Sequence, residues 1–403
     1  MSRADILSLA SAAPAAVPVV SQWPRHEPDE IDAAVSVLES GRVNALLHGE
    51  QTKKLARAFA AFCGMEHGFC VANGTLALEV AMRALGIGPG DEVIVPARSF
   101  FASAGAVLAV GAKPAFADVC PDSQNIDPRS VARLVGPATK AILAVHLAGW
   151  PCDMKALRGL ADSYGLFLIE DCAQAHGAAI GSHKVGSFGD AAAFSFCTDK
   201  IMSTAGEGGL VLFGNEAHCD TGFGYKDHGK NFARMADGQG QPGEFRFIHD
   251  FPGSNFRLTE FQAAIGLCQL AKLPQWLASR RHNARVLMMR LAGDDRIRLP
   301  LPGPDITHAW YKFYVQLPGA DDRPGYRSRV IGRLQAAGIP AGSGSCPDMS
   351  REGAFANMDI RRDGDLPEAR SLGRRTLMLP VDHTLSDDAM HRMADALLKA
   401  LED

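Results

Sequence analysis

Phe194-Ser195-Phe196-Cys197-Thr198-Asp199-Lys200-Ile201-Met202-Ser203-Thr204-Ala205-Gly206-Glu207-Gly208-Gly209 is the stretch from which the rest of this chain can be read. Ala191 to Phe196 is short and apolar, as a buried strand is. Polar residues and one lysine follow, then a glycine-rich turn, and a second apolar run resumes from Leu210 to Phe213. A lysine between two buried strands is not placed for solubility. Burial disfavours an ammonium ion and lowers the pKa of the amine, which suits an amine that must attack a carbonyl. Schiff-base chemistry on pyridoxal phosphate needs such an amine. Taken alone, Lys200 is more simply a loop lysine facing water. The rest of the chain decides.

The chain has 403 residues, of which 47% are hydrophobic and 21% charged. This is the composition of a globular protein with room for a large core and more than one domain. A net charge of -4 argues against nucleic acid as a partner. No apolar run is long enough to span a bilayer. Arg3 followed by Ile6 to Val20 is weakly like a signal peptide, but Asp5, Pro14 and Pro18 interrupt it. Residues 1–20 therefore read as a flexible arm. Nine scattered cysteines with no C-x-x-C pair fit a reducing cytoplasm rather than a disulfide framework or a zinc site.

Along the chain, strand-like and helix-like segments alternate. Helix is expected over Thr52–Cys63, strand over Phe69–Ala72, and helix over Thr75–Leu85 up to Gly86 and Gly88-Pro89-Gly90. Strands follow at Glu92–Val95, Pro114–Asp118, Ala141–His146 and Leu166–Glu170, separated by helices at Phe101–Val110, Pro128–Leu134 and Met154–Tyr164. Asp127-Pro128 has the form of an N-cap with proline at the first helical position. Such an order implies an α/β fold: a mostly parallel central sheet with helices on both faces, residues 21–274. Ligands in such sheets bind beyond the carboxyl ends of the strands, where Gly74, Asp171 and Ser195 fall. Pro274 marks a change of texture. A helix over Gln275–Leu291, a strand over Trp310–Leu317, helices over Arg327–Ala337 and Asp387–Leu401, and a loop-like, mobile Gly342–Asp365 make residues 275–403 a smaller C-terminal α+β domain.

Several pieces besides Lys200 suit one cofactor. Asn73-Gly74-Thr75 stands between a strand and a helix, where free N–H groups and the positive dipole end attract a phosphate. Asp171 arrives at the end of a strand, placed to hold a pyridine nitrogen protonated, and Gln174 is placed to bond a ring hydroxyl. Ala173 is small enough to let a ring lie close to the backbone. Phe100 is placed to stack on a ring, and Ser195 to bind phosphate. Each has a plainer reading: a turn, an N-cap, a core phenylalanine, a strand serine.

These pieces occur in a fixed order. Asn73-Gly74-Thr75, Gly88 to Pro96, His146-Leu147-Ala148-Gly149, Glu170-Asp171-Cys172-Ala173-Gln174, Phe194-Ser195-Phe196 with Lys200, Gly206-Glu207-Gly208-Gly209 and Asn255 to Ala264 succeed one another. Together they resemble the DegT/DnrJ/EryC1/StrS family of pyridoxal-phosphate aminotransferases, closely from Gly41 to Arg281 and loosely beyond. The resemblance implies a fold-type-I aminotransferase that binds pyridoxal 5'-phosphate. By position Lys200 is similar to the family's Schiff-base lysine and Asp171 to its pyridinium partner. Gln174 is similar to the ring-hydroxyl ligand, Phe100 to the stacking aromatic, and Gly74, Thr75 and Ser195 to phosphate ligands. Asn255 resembles the phosphate ligand that the other subunit of a homodimer supplies. Ser99, Arg98 and Pro252-Gly253-Ser254 depart from the usual pattern, which touches the substrate pocket more than the cofactor.

The activity implied is transamination of a keto sugar, nucleotide-linked, from a donor such as glutamate, for glycan, lipopolysaccharide or antibiotic sugars. An aminocyclitol aminotransferase shares every residue named. A non-catalytic pyridoxal-phosphate-binding regulator is the alternative of another class. Sugar 3-dehydratases related to the family carry histidine where Lys200 stands.

Overall fold

The computed structural model describes residues 18–236 and 247–402. One sheet is built from seven strands: β1 (His67–Val71), β2 (Glu92–Pro96), β3 (Lys113–Ala117), β4 (Thr139–Val145), β5 (Phe167–Asp171), β6 (Ala191–Ser195) and β7 (Gly209–Phe213), in the order β1-β7-β6-β5-β4-β2-β3. Strands β3, β2, β4, β5 and β6 pair in parallel. Strand β7 runs antiparallel to both β6 and β1, so the sheet is mostly parallel, as expected. The main helices are α1 (Pro28–Glu39), α2 (Glu50–Cys63), α3 (Gly74–Ala84), α4 (Ala102–Ala109), α5 (Pro128–Leu134), α6 (Met154–Tyr164), α7 (Glu216–Tyr225), α8 (Glu260–Leu291), α9 (Tyr326–Ala336), α10 (Pro367–Arg375) and α11 (Asp387–Ala400).

Strand side chains alternate between two buried faces, which is why the strands read as unbroken apolar runs. Val93, Val95, Leu143, Ile169 and Val211 pack with α3 and α4. On the other face, Ile94, Ile142 and Leu168 pack with α5 and α6, while Phe194, Leu210 and Leu212 pack with α2 and α8. The carboxyl ends of β2, β5 and β6 therefore open on one edge, beside the N-terminus of α3.

Two expectations need correction. The helix expected to begin at Gln275 is the second half of α8, which runs unbroken from Glu260 through Pro274 to Leu291. Proline inside a helix costs about 3 kcal/mol. Buried Leu273, Trp276 and Leu277 on either side hold the helix against that cost. The start of α8 is set instead by Gln262, whose Oε1 accepts from the Thr259 N–H (3.4 Å) and hydroxyl (2.6 Å) in a capping box. The segment Gly342–Asp365, expected to be mobile, is anchored. Met349 and Phe355 are buried in the same core as α3 and α4, and the Met349 N–H donates to Ala97 O at 2.7 Å.

A second core gathers Ala284, Leu287 and Leu291 of α8 with α9, α11 and the antiparallel pair β8 (Phe313–Gln316) and β9 (Thr376–Leu379). Of the arm expected over residues 1–20, residues 1–17 lie outside the described part. Val19 is buried in the second core, and its N–H donates to Gly338 O at 2.9 Å. Helix α1, not foreseen, is pinned to α8 by Lys272, whose Nζ reaches carboxylates of Glu27 (2.7 Å), Asp29 (2.7 Å) and Glu30 (2.9 Å). Among the described residues no helix is long and apolar enough to cross a membrane.

Candidate active site

A cavity of about 510 Å³ opens at the carboxyl ends of the strands, and Gly74, Thr75, Phe100, Asp171, Gln174, Ser195 and Lys200 all line it. Seven of the eight residues singled out in the sequence thus share one space. The eighth, Asn255, stands exposed outside it, in a bridge with Asp227. Its Oδ1 accepts from the Arg257 N–H at 3.4 Å.

The floor is the start of α3. Asn73 caps it, with Oδ1 accepting from the Leu76 N–H at 3.0 Å. The N–H groups of Gly74 and Thr75 stand at the first helical positions, which have no partner within the helix. Ser195 ends β6 directly against Gly74: a Cβ built on Gly74 would lie 2.6 Å from Ser195 Cβ. A Cβ built on Gly209, which opens β7, would likewise lie 2.4 Å from the Asn73 carbonyl carbon. The glycines are needed here for close approach of three backbones.

Asp171 ends β5 and is buried. Its Oδ2 accepts from Ser103 Oγ at 2.9 Å, and its Oδ1 from the Ala173 N–H at 3.2 Å. Ser99 and Ser103 hydroxyls are themselves 3.0 Å apart, so α4 and the β2 end support this carboxylate. Burial pushes the Asp171 carboxyl above its ordinary value, against the opposing pull of Ala173, Ser103, Lys200 and His146. Asp171 is not a helix cap, since a turn follows it. Its neighbour Glu170 is held deeper. Glu170 accepts from the N–H groups of Gly186, Phe188 and Gly189 at 2.9, 2.7 and 2.8 Å. It also meets His146 Nε2 at 3.0 Å, and His146 Nδ1 accepts from the Cys152 N–H, so Nε2 donates. This fixes β5 to the loop before β6.

Gln174 Oε1 accepts from the Ala148 N–H at 2.8 Å, which leaves the NH2 of that side chain as its donor. Phe100 is 66% exposed and lines the cavity, so it is not a core phenylalanine. Lys200 has only 15% of its side chain exposed. Its Nζ lies 3.4 Å from the Tyr311 hydroxyl, and its carbonyl accepts from Trp23 Nε1 at 2.8 Å. The water-facing loop lysine is thereby excluded.

Other lining residues escaped the sequence reading: Asp199, Tyr311, Lys312 and the segment Gly344-Ser345-Cys346. Tyr311 and Lys312 lie just ahead of β8, inside a stretch read as plain strand. The departing residues separate: Ser99 lines the cavity, whereas Arg98 is buried behind it with Nε donating to Gln124 Oε1 at 2.8 Å.

A mostly parallel sheet with a buried lysine, a buried aspartate and a helix N-terminus converging on its carboxyl edge defines the class of fold-type-I, pyridoxal-phosphate-dependent aminotransferases. The chain belongs to the DegT/DnrJ/EryC1/StrS aminotransferase family, whose model matches residues 24–398. It is 36% identical to a dTDP-3-amino-3,4,6-trideoxy-alpha-D-glucose transaminase of Streptomyces venezuelae, over 91% of this chain and 91% of the relative. It is also 36% identical to an L-glutamine:2-deoxy-scyllo-inosose aminotransferase of Streptomyces paromomycinus, over 94% of this chain and 93% of that one. Among solved structures it is similar to an aminotransferase from Psychrobacter cryohalolentis, with TM-score 0.89 and 41% identity, covering 94% of this chain and 98% of the other.

The residues present fit pyridoxal phosphate. The part of the cavity wall where Gly74, Thr75 and Ser195 meet offers N–H and hydroxyl donors at a helix start, as a phosphate requires. Asp171 is a buried carboxylate whose protein partners, Ser103 and Ala173, are not cations, so a protonated ring nitrogen is the charge it lacks.

Proposed function

We propose that the protein transfers an amino group from an amino acid donor such as glutamate to a nucleotide-linked keto sugar, for glycan, lipopolysaccharide or antibiotic sugar biosynthesis. The observation that carries this reading is the convergence of the Lys200 amine, Asp171 and the α3 N-terminus on one cavity. The likeness to a dTDP-amino-sugar transaminase over nine-tenths of the chain supports the substrate class.

Pyridoxal phosphate supplies, when bound, an electron sink for a carbon that has lost a proton. The chain's own groups do the rest. Gly74 and Thr75 N–H groups, with the Thr75 and Ser195 hydroxyls, bind the phosphate. Asp171 keeps a proton at the ring nitrogen, Gln174 donates to the ring hydroxyl, and Phe100 covers a ring face. Lys200 Nζ carries the cofactor between turnovers. Once released, it would take the proton from the donor's α-carbon and give it to the carbon on the far side of the transferred nitrogen, and would move a proton the opposite way on the keto sugar.

The active unit is a homodimer in which Asn255 reaches the partner's phosphate. In support, Asn255 is exposed and outside its own chain's cavity. Helix α1 also shows an apolar stripe of Ile31, Val35 and Leu38 to the outside.

The test is a substrate panel. The loaded protein is given glutamate with dTDP-, GDP- and UDP-linked keto sugars, and products are read by mass. A gain of an amino group on one nucleotide sugar is expected. Amination of 2-deoxy-scyllo-inosose instead would establish the aminocyclitol reading, which the second Streptomyces relative favours. No release of 2-oxoglutarate in a single turnover would mark a regulator. Borohydride should fix the cofactor on the Lys200 peptide, and fixation on another lysine rejects the site.

A further inference from the structure

Lys200, Tyr311 and Asp199 form a hydrogen-bonded line in the cavity wall. The Tyr311 hydroxyl donates to Asp199 Oδ2 and stands 3.4 Å from Lys200 Nζ, from which it accepts. Asp199 Oδ1 is 3.5 Å from the same Nζ. Lys200 and Asp199 follow β6, whereas Tyr311 comes from the far segment before β8. Tyr311 is not free to drift: it is buried, and its N–H donates to Ala148 O at 2.9 Å. That ties it to the turn whose Ala148 N–H engages Gln174. Asp199, by contrast, has 59% of its side chain exposed.

We propose that Tyr311, backed by Asp199, is the seat of the Lys200 amine whenever that amine is not bonded to the cofactor, holding Nζ in place and stabilising its protonated form. This rests on the reading of Lys200 as the acid–base amine. A lysine side chain has many rotamers, and an amine freed in mid-reaction must stay within reach of the carbon it serves. One oxygen that accepts from Nζ while donating to a carboxylate does this, because donation to Asp199 makes that oxygen a better acceptor. When Nζ takes a proton from the substrate carbon, the C–H bond breaks and an N–H bond forms. Tyr311 keeps its own proton, and the new positive charge lies beside Asp199.

Charge and burial agree with this assignment. Burial, then Asp199, pushes the Tyr311 hydroxyl well above its ordinary value, so it stays an O–H donor. The Asp199 carboxyl is held below its ordinary value: burial opposes this, and Lys200 and Tyr311 outweigh it. The other titratable groups facing Lys200 are Asp171 from β5, His176 in the turn after it, Cys197 beside it and Lys312 next to Tyr311. Lys312 Nζ is turned to Gly344 O at 3.0 Å, leaving Asp199 as the carboxylate that both the amine and the phenol meet.

The experiment reads the amine directly. Cofactor-free protein is treated with acetic anhydride across a pH series, and acetylation of the Lys200 peptide is followed by mass. In Asp199→Asn the labelling rate at neutral pH should rise severalfold, because the carboxylate that stands 3.5 Å from Nζ no longer holds it. Tyr311→Phe, which keeps the ring, should also label faster. The double variant should go no further than the larger single effect, since the two act as one unit. Asp199→Glu should stay near wild type. In the loaded enzyme the acid limb of the kcat profile should move to lower pH in Asp199→Asn. Unchanged Lys200 labelling in both Asp199→Asn and Tyr311→Phe would overturn the proposal. Borohydride fixation of the cofactor on Lys200 in the same variants reports separately on the role of Lys200 itself.

Discussion

Gly74 and Ser195 stand so close that one methyl group cannot be added between them: a Cβ on Gly74 would fall 2.6 Å from Ser195 Cβ and 3.1 Å from its Oγ. The first residue of α3 and the last of β6 are 121 positions apart in the chain, yet together they make one wall of the cavity. A helix start supplies donors only if nothing covers them, and glycine is the residue that covers nothing.

Gly74→Ala tests that contact. Forcing a methyl group into a packed site costs typically about 1–3 kcal/mol. Here the strain falls where phosphate is to bind, so a loss of cofactor affinity of roughly tenfold or more is expected, with the global melting transition little changed. Absorbance titration with pyridoxal phosphate, beside a melting curve, checks both. Affinity equal to wild type would remove Gly74 and Ser195 from the proposed phosphate site.

Asp171→Asn should separate stability from activity. Burial raises the Asp171 carboxyl in the folded protein. A raised acid contributes stability below its unfolded pKa, and that contribution is lost as pH rises through the folded value. At neutral pH the cofactor-free wild type therefore carries an unfavourable buried charge, which asparagine removes. Cofactor-free Asp171→Asn should melt at or above the wild-type temperature near pH 7, and the difference should shrink toward pH 4. Activity should move the other way. A charge-assisted bond to the ring nitrogen is worth roughly 1.5–3 kcal/mol, so turnover should fall at least tenfold. Paired melting and rate measurements decide, and a variant that melts earlier yet turns over normally contradicts both halves.

The parallel sheet and most of the site were legible because their signals are local. Apolar runs of strand length, Asn73-Gly74 at a strand–helix turn and Asp171 at a strand end each declare themselves within a few residues. Met154–Tyr164 was bounded to the residue, since Asp153 caps it and Gly165 ends it. What was not legible depends on packing between distant segments. Pro274 reads as a break, but whether a helix survives a proline depends on what Leu273 and Trp276 are packed against. Gly342–Asp365 is poor in apolar residues, yet Met349, Phe355 and Ile360 reach the core, and Arg361 and Asp363 bond the backbone of Phe116 at the end of β3. Trp23 touches the Lys200 carbonyl across 177 positions, and Tyr311 meets Nζ across 111. No periodicity announces such contacts.

The last expectation concerns assembly. Asn255 sits where β-bridge pairing with Asp227 fixes its backbone, and it is exposed and not among the residues that line the cavity. Gly74, Thr75 and Ser195 would hold the phosphate from one chain only, and a phosphate accepts more bonds than these would offer. A second copy of the chain, related by a two-fold axis, would bring its Asn255 to the open side and would cover Ile31, Val35 and Leu38 of α1 in the same step. Mixing two impaired proteins tests this. In a heterodimer of Lys200→Ala and Asn255→Ala, trans action places both changes in one site and neither in the other, so activity returns toward half that of wild type. If Asn255 served its own chain's phosphate, each site would keep one defect and mixing would restore nothing. Sedimentation of the mixture supplies the companion measurement. Recovery of activity should track the dimer fraction, and a fully active monomer would end the proposal.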